Sequence, residues 1–282
     1  YIRHAAAVSV LAAAAVLAAH AESPAWLERV NFYRATASLP SVEEDVDLSR
    51  GIVDHARYML RHGVVKHDER RGDRWTTADG AAAAAASNLA GSSRIDEPDS
   101  WAVDTWMQAP FHAIGILDPA LSRVGFGIEH AHTSNLQTAA GLDVIRGRRV
   151  DPSSIQYPVV WPSDGAVVPI AAHVEEYPSP LVSCPGYTAP SGLPLIVQLG
   201  RDETPHVRAS AFVEGDRLLE HCVFDGGTYW NPDAAERRLG RSILASRGAI
   251  VMIPRNPLRP GASYRAAVDV NDRRIEWIFS VR

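Results

Sequence analysis

The sequence is poor in lysine and has no concentration of basic residues. Lys66 is the only lysine among 28 basic residues, and 33 acidic residues give a net charge of −5. Binding to nucleic acid needs a clustered basic face, so this composition argues against a nucleic-acid partner. The preference for arginine over lysine is typical of a GC-rich bacterial genome.

Long apolar runs are absent after the first residues of the chain. A membrane-spanning helix needs about 20 consecutive apolar residues, and no segment after residue 21 supplies them. Residues 1–21 instead have the features of a secretory signal peptide: a basic Arg3, a small apolar run over 5–19 and an Ala-x-Ala ending. An uncleaved anchor is the alternative. We expect no transmembrane segment and a secreted, periplasmic or cell-envelope location.

Cysteine is scarce as well, with only Cys184 and Cys222 in the chain. The paired Cys-x-x-Cys and Cys/His spacings of zinc modules are absent, which excludes that class of metal site. In an exported chain, an even number of cysteines is most simply explained by a disulfide. We therefore predict a Cys184–Cys222 bridge, with two buried free thiols as the alternative.

The hydrophobic periodicity changes near residue 150. Before it, apolar residues recur at helical spacing, and beyond it they alternate, as in half-buried strands. Residues 147–158 are rich in Gly, Arg, Asp, Pro and Ser, which is typical of a linker. The predicted fold class is α+β, with a signal peptide at 1–21, a mainly helical domain with two strands at 22–149 and an all-β sandwich at 150–282.

Helix signals in the first half predict three main helices. The first is expected to begin at Ser23-Pro24, and the second to run from a cap at Asp47 to a stop at Gly63. The third is expected to begin at Asp99 or Ser100 and to end before Pro110, because the residue before proline disfavours helix. The alanine run over 81–86 is interpreted as a closely packed helical turn.

Strand signals fill the second half. Tight turns are predicted at Glu214-Gly215-Asp216 and at Asn271-Asp272. The predicted strands, which also include two in the first half, cover residues 124–128, 142–145, 159–161, 167–173, 181–184, 193–199, 208–213, 217–224, 249–253, 263–270 and 274–281. Many short strands separated by turn residues are typical of a β-sandwich.

Two histidines stand at predicted breaks between helix and loop. His67 follows the second helix, and His112 lies just beyond the third. Imidazole is a common metal ligand and a general base near neutral pH, and two histidines with a carboxylate form an open zinc site. From spacing alone, two loop histidines are more often independent of each other. His55 and His62, on the second helix, are expected to be partly exposed surface residues.

Several short motifs, taken in order, carry a resemblance to a known family. They are residues 27–34 (LERVNFYR) with Leu39-Pro40, 55–59 (HARYM), 67–69 (HDE), 87–90 (SNLA), 103–107 (VDTWM), 110–112 (PFH), 116–119 (ILDP) and 124–127 (VGFG). Together they resemble the bacterial SCP-like branch of the CAP superfamily: cysteine-rich secretory proteins, antigen 5 and pathogenesis-related 1 proteins. The resemblance covers about residues 24–149. The last two predicted strands loosely resemble fibronectin-like or immunoglobulin-like domains.

The resemblance implies an α-β-α sandwich with a cleft lined by two histidines and two acidic residues. His67 and His112 match the histidines. Ser87 stands where the first acidic residue is expected, and the second position falls near Gln108, so both carboxylates are missing. Glu69 is the candidate for a substitute carboxylate. The interpreted cleft therefore consists of His67, His112, Glu69 and Ser87.

A cleft that lacks both acids favours binding over hydrolysis, because the obvious general base for a water molecule is lost with them. The sequence thus favours a non-enzymatic extracellular module that binds a small apolar ligand, a lipid, another cell-envelope component or a metal. The alternative is a degenerate or metal-dependent hydrolase that acts on envelope material. Zinc, bound weakly by His67 and His112, is the one cofactor that the residues suggest. We expect a monomer.

Overall fold

The computed structural model describes residues 23–133 and 135–282, so the predicted signal peptide lies outside the described residues. Two long helices open the first half, α1 (Ala25–Ala35) and α2 (Val46–His62). Asp45, not Asp47, caps α2, since its side chain accepts hydrogen bonds from the backbone N–H of Asp47 and of Leu48. Gly63 ends the helix in the left-handed conformation, with φ +63°, as predicted.

Three short helices follow: α3 (Ala78–Ala84), α4 (Trp101–Met107) and α5 (Pro110–Ile116). The alanine run is helical, as expected. Pro110 does stop α4, but it also occupies the first position of α5, where a missing N–H costs nothing. The prediction that His112 lies in a loop is therefore wrong, because His112 belongs to the first turn of α5.

The first half also contains a four-stranded sheet. Its strands are β1 (Glu43–Glu44), β2 (Ser87–Ser92), β3 (Arg123–His130) and β4 (Thr138–Asp143), in the order β1-β3-β4-β2. Two glycines of β3 allow α2 to pack closely on this sheet, because a side chain at either position would collide with the backbone of α2. A Cβ atom at Gly125 would lie 2.6 Å from Ser49 N, and one at Gly127 would lie 2.6 Å from Val53 N.

The second half forms two main sheets. The strands are β5 (Val159–Trp161), β6 (Val167–Val168), β7 (Ala172–His173), β8 (Ser191–Gly192), β9 (Leu195–Gln198), β10 (Val207–Glu214), β11 (Arg217–Leu218), β12 (His221–Asp225), β13 (Ala249–Pro254), β14 (Ser263–Val270) and β15 (Arg273–Val281). One sheet has the order β11-β10-β14-β15-β6, and the other has the order β12-β13-β9-β5. Buried residues of both contribute to a single apolar core. The mixed content of helices and sheets agrees with the α+β class.

Several elements of this half differ from the predictions. The strands expected at 167–173 and 217–224 are each divided between two sheets, as β6 and β7 and as β11 and β12. Residues 181–184 were expected to form a strand, but Leu181–Ser183 is a turn of 3₁₀ helix. A helix that was not predicted, α6 (Ala234–Ala245), connects β12 to β13. The two predicted tight turns are present: Gly215, Asn271 and Asp272 all have positive φ, as primed hairpin turns require.

The disulfide between Cys184 and Cys222 is present, with the two Cα atoms 5.6 Å apart. It joins the end of the 3₁₀ turn to strand β12. The bridge therefore fastens the irregular segment between β7 and β8 to the sheet that has the order β12-β13-β9-β5.

The apolar core is continuous across residue 150. One cluster of buried side chains includes Trp106 in the first half and Trp161 and Phe224 in the second. Polar contacts also cross the boundary: Trp161 Nε1 donates to Thr36 Oγ1 at 3.0 Å, and Gln198 Nε2 donates to Leu117 O at 2.8 Å. The two halves thus share a core, and the division at 149/150 remains a prediction. No helix within residues 23–133 and 135–282 has the length and apolarity needed to cross a membrane.

Candidate functional site

His67 and His112 line the same cavity, of about 330 Å³. The first half of the chain also supplies Ser87, Asn88 and Phe111 to its wall. The opposite wall comes from the second half, through Tyr177, Pro178, Leu239, Ile243 and Arg247. We call this cavity the cleft. It lies between the two halves of the chain, a position that the sequence did not suggest.

The loop that carries His67 is fixed by a buried pair beneath it. His55 is fully buried, with its Nδ1 2.9 Å from Glu69 Oε1 and its Nε2 2.9 Å from the Lys66 carbonyl oxygen. The other oxygen of Glu69 accepts from the Thr77 N–H at 3.1 Å. Glu69 is therefore not the substitute carboxylate of the cleft, and His55 is not a surface residue. The pair instead positions the loop.

The ring of His67 is oriented by a backbone carbonyl. His67 Nδ1 lies 2.9 Å from Ala84 O, and since a carbonyl oxygen only accepts, Nδ1 carries the proton. Nε2 is then the nitrogen with a free lone pair. Burial lowers the pKa of His67 from 6.5, and the nearby His112 and His55 lower it further, although the hydrogen bond to Ala84 opposes this. His67 is thus a neutral hydrogen-bond acceptor at pH 7.

The ring of His112 is held by a carboxylate from the other half. His112 Nδ1 lies 2.6 Å from Glu176 Oε1, and the backbone N–H of His112 donates to the same oxygen at 2.9 Å. The side chain of Glu176 has no exposed surface. The carbonyl oxygen of His112 accepts from Asn88 Nδ2 at 3.0 Å, which joins α5 to strand β2. The sequence analysis did not identify Glu176 as a site residue. The one local feature that could have drawn attention to it is the acidic pair Glu175-Glu176, in a segment without the alternation of a strand.

The two positions that lost their acidic residues have local roles. The Ser87 hydroxyl donates to Ala83 O at 2.7 Å, so it satisfies the end of α3 rather than pointing a free hydroxyl at a ligand. Gln108 Nε2 donates to Asp104 O at 3.1 Å, and Gln108 O accepts from His173 Nδ1 at 2.9 Å. Ser87 lines the cleft, whereas Gln108 does not.

A short segment of the second half passes over the histidines. We call residues 174–178 the strap. A second cavity of about 410 Å³ is lined by His67, His112, Glu176 and Tyr177, among others. Tyr177 also lines the cleft, and 73% of its surface is exposed. Residues of the strap therefore line two cavities that share both imidazole rings.

The rest of the cleft wall is largely apolar. It is formed by Phe111, Val144, Ile145, Leu239 and Ile243. Ile145 and Leu239 leave about half of their surface exposed, 49% and 47%. Apolar side chains at the mouth of a cavity are typical of a site that covers them with a ligand.

The residues of the cleft do not form a good zinc site. Zinc in proteins has at least three protein ligands, and the cleft offers two imidazole Nε2 atoms. Glu176 Oε1, the carboxylate oxygen that contacts His112, already accepts two hydrogen bonds from that residue. Within the described part of the chain, no group of three or more His, Cys, Asp and Glu side chains is arranged to hold a metal ion.

Comparison with known proteins identifies the first half. Residues 27–137 match the family model described as CAP, the cysteine-rich secretory protein family. The chain contains a CAP domain. No curated protein and no solved structure matches the chain. His67 and His112 lie within the matched range of the CAP domain, whereas Glu176, Leu239 and Ile243 lie beyond it.

Proposed function

We propose that this CAP-domain protein is exported and binds a small amphipathic molecule in the cleft. The observation that carries the proposal is the cleft itself, in which two imidazoles meet an apolar wall. Its volume of about 330 Å³ lies at the lower end of the range for small-molecule sites, about 300–1,000 Å³. The ligand is expected to place a polar head at His67 and His112 and an apolar chain along α6.

The energetics suit a ligand that buries part of an alkyl chain. Each buried methylene contributes about 0.8 kcal/mol, so six of them contribute about 5 kcal/mol. Part of this gain is offset by the loss of translational and rotational freedom on association. A neutral His67 accepts a hydrogen bond, so we expect a head group with a donor, such as a hydroxyl, to bind better than a carboxylate.

The disulfide supports export, because such bridges persist in oxidising compartments. We further propose that the second half is an immunoglobulin-like sandwich, that the CAP domain belongs to the bacterial branch, and that the protein acts as a monomer at the cell envelope. The second half contributes one wall of the cleft, so it takes part in the proposed binding site.

Hydrolysis is the second candidate, and the contact between His112 and Glu176 favours it. A histidine oriented by a carboxylate is the arrangement of a general base. Ser87 is a poor nucleophile here, because its hydroxyl donates to Ala83 O. A water molecule activated by His112 would have to attack the substrate instead.

Binding is tested by calorimetric titration of the purified protein with 1-dodecanol and with dodecanoate. We expect 1-dodecanol to bind more tightly than dodecanoate. Leu239→Asp places a charge on the apolar wall and should weaken binding at least tenfold. Leu218→Asp is the matched control, since Leu218 is exposed on β11 and does not line the cleft.

Equal affinities for the wild type and Leu239→Asp would contradict the proposed site. The hydrolytic candidate is tested in the same preparations with p-nitrophenyl butyrate. Release of nitrophenol that is lost in His112→Ala but kept in Leu218→Asp would favour hydrolysis over simple binding.

A further inference from the structure

Glu176 is a buried carboxylate that accepts its hydrogen bonds from one residue, His112. Its side chain has no exposed surface, and its Oε1 accepts from both the ring Nδ1 and the backbone N–H of His112. Its Oε2 is also buried and has no hydrogen-bond partner within the described residues. A buried carboxylate is costly unless it is paired, and the hydrogen bonds that pair Glu176 within the described residues all come from His112.

The geometry decides which ring nitrogen carries the proton. A backbone N–H can only donate, so Oε1 is an acceptor in its contact with His112 N. The ionised carboxylate has no hydrogen to donate, so the same oxygen also accepts from Nδ1, and in that state Nδ1 carries the proton. The tautomer of a histidine is commonly set in this way, by the hydrogen bond at its other nitrogen.

We propose that Glu176 is a positioning residue that completes the cleft from outside the CAP domain. Glu176 holds the ring of His112 through a hydrogen bond to Nδ1, so that Nε2 is available to accept a hydrogen bond from the ligand. His67 receives the same orientation from Ala84 O. The cleft thus presents two Nε2 atoms, one fixed by a carbonyl within the CAP domain and one by a carboxylate of the second half.

The strap that carries Glu176 is anchored on both sides. Before it, His173 Nδ1 donates to Gln108 O at 2.9 Å. After it, Ser179 O accepts from the Tyr229 hydroxyl at 3.0 Å, and the disulfide at Cys184 follows. These contacts fix the backbone on either side of Glu176, as accurate positioning of His112 requires.

The proposal is tested by ¹⁵N NMR of the histidine rings in the full-length protein, at a pH where the ring of His112 is neutral. In the wild type, we expect His112 to be protonated at Nδ1 and unprotonated at Nε2. Glu176→Ala should move the proton partly or wholly to Nε2. Glu176→Gln should keep the wild-type tautomer, because an amide oxygen can still accept both hydrogen bonds.

Glu175→Gln is the matched control, since it removes one negative charge from the neighbouring, exposed position and should leave His112 unchanged. A wild-type His112 that is protonated at Nε2 overturns the proposal without the need for any variant. A folded Glu176→Ala protein with an unchanged tautomer overturns it too.

A second measurement concerns the ligand and rests on the proposed function. For metal-ligating histidines, loss of the orienting partner typically costs 10–100-fold, and by the same logic we expect Glu176→Ala to weaken 1-dodecanol binding about tenfold. Glu175→Gln should not change it. If the wild type does not bind 1-dodecanol, the proposed function fails, whereas the NMR result still judges the role of Glu176.

Discussion

Glu176 Oε1 lies 2.6 Å from His112 Nδ1, although the two residues are 64 positions apart in the sequence. The contact joins the CAP domain to the second half at the cleft itself. Ser87 and Gln108 stand where the resemblance implies acidic residues. Glu176 therefore supplies a carboxylate to the histidine pair from another part of the chain. The two halves therefore build the site together.

The disulfide should contribute substantially to stability, because it closes a loop of 38 residues. The loop-entropy relation gives about 3–4 kcal/mol for a loop of this length. We expect the double variant Cys184→Ser/Cys222→Ser to lose about that much free energy of unfolding, measured by urea denaturation. A loss below about 1 kcal/mol would show that the bridge adds little to the fold.

Asp118 is predicted to be a critical ion-pair residue at the boundary between the halves. Its buried carboxylate lies 3.0 Å from Arg247 Nη2 and 2.8 Å from Arg148 Nε. Asp118→Ala leaves two guanidinium groups without their partner and should destabilise the protein by about 3–5 kcal/mol. Glu220→Ala, which removes an exposed pair with Arg255, is the control and should cost less than about 1 kcal/mol.

Parts of the fold could be predicted from local signals. The end of α2 at Gly63, the alternation in β3 and the turn at Asn271-Asp272 depend on neighbouring residues, so the sequence indicates them directly. Strand β2 was missed because its sequence, SNLAGS, contains no β-branched residue. Its strand form depends on pairing with β4.

The cleft was only half predicted, for a related reason. The resemblance pointed to His67 and His112, which line the same cavity. Glu176 reaches His112 only through the packing of the two halves, which no local pattern reports. Helix α6 was detectable: Asp233 caps its N-terminus, and Leu239 and Ile243 are spaced by four residues.

The depressed pKa of His67 predicts a pH effect on stability. Burial favours the neutral ring, so the unfolded chain, with a pKa near 6.5, binds the proton more readily than the folded protein. The contribution of His67 is therefore complete above about pH 6.5 and is lost as the pH falls towards its lowered folded value. Between pH 7.5 and 5, the wild type should lose more free energy of unfolding than His67→Gln. Parallel pH profiles would contradict this.

The continuous core predicts cooperative unfolding of the two halves. The buried apolar cluster extends from the CAP domain into both sheets of the second half. Calorimetry should show a single transition whose calorimetric and van't Hoff enthalpies agree. Protease cleavage between residues 147 and 158 should leave the two fragments associated. Two resolved transitions, or fragments that separate without denaturant, would show two independent domains.

The most direct test of the composite cleft is the position of a bound amphipathic molecule. In the complex with 1-dodecanol, intermolecular NOEs should connect the hydroxyl end to the rings of His67 and His112. The alkyl chain should give NOEs to the methyl groups of Leu239 and Ile243, which also line the cleft. NOEs from the chain to CAP-domain residues alone, with none to α6, would contradict a site that both halves of the protein build.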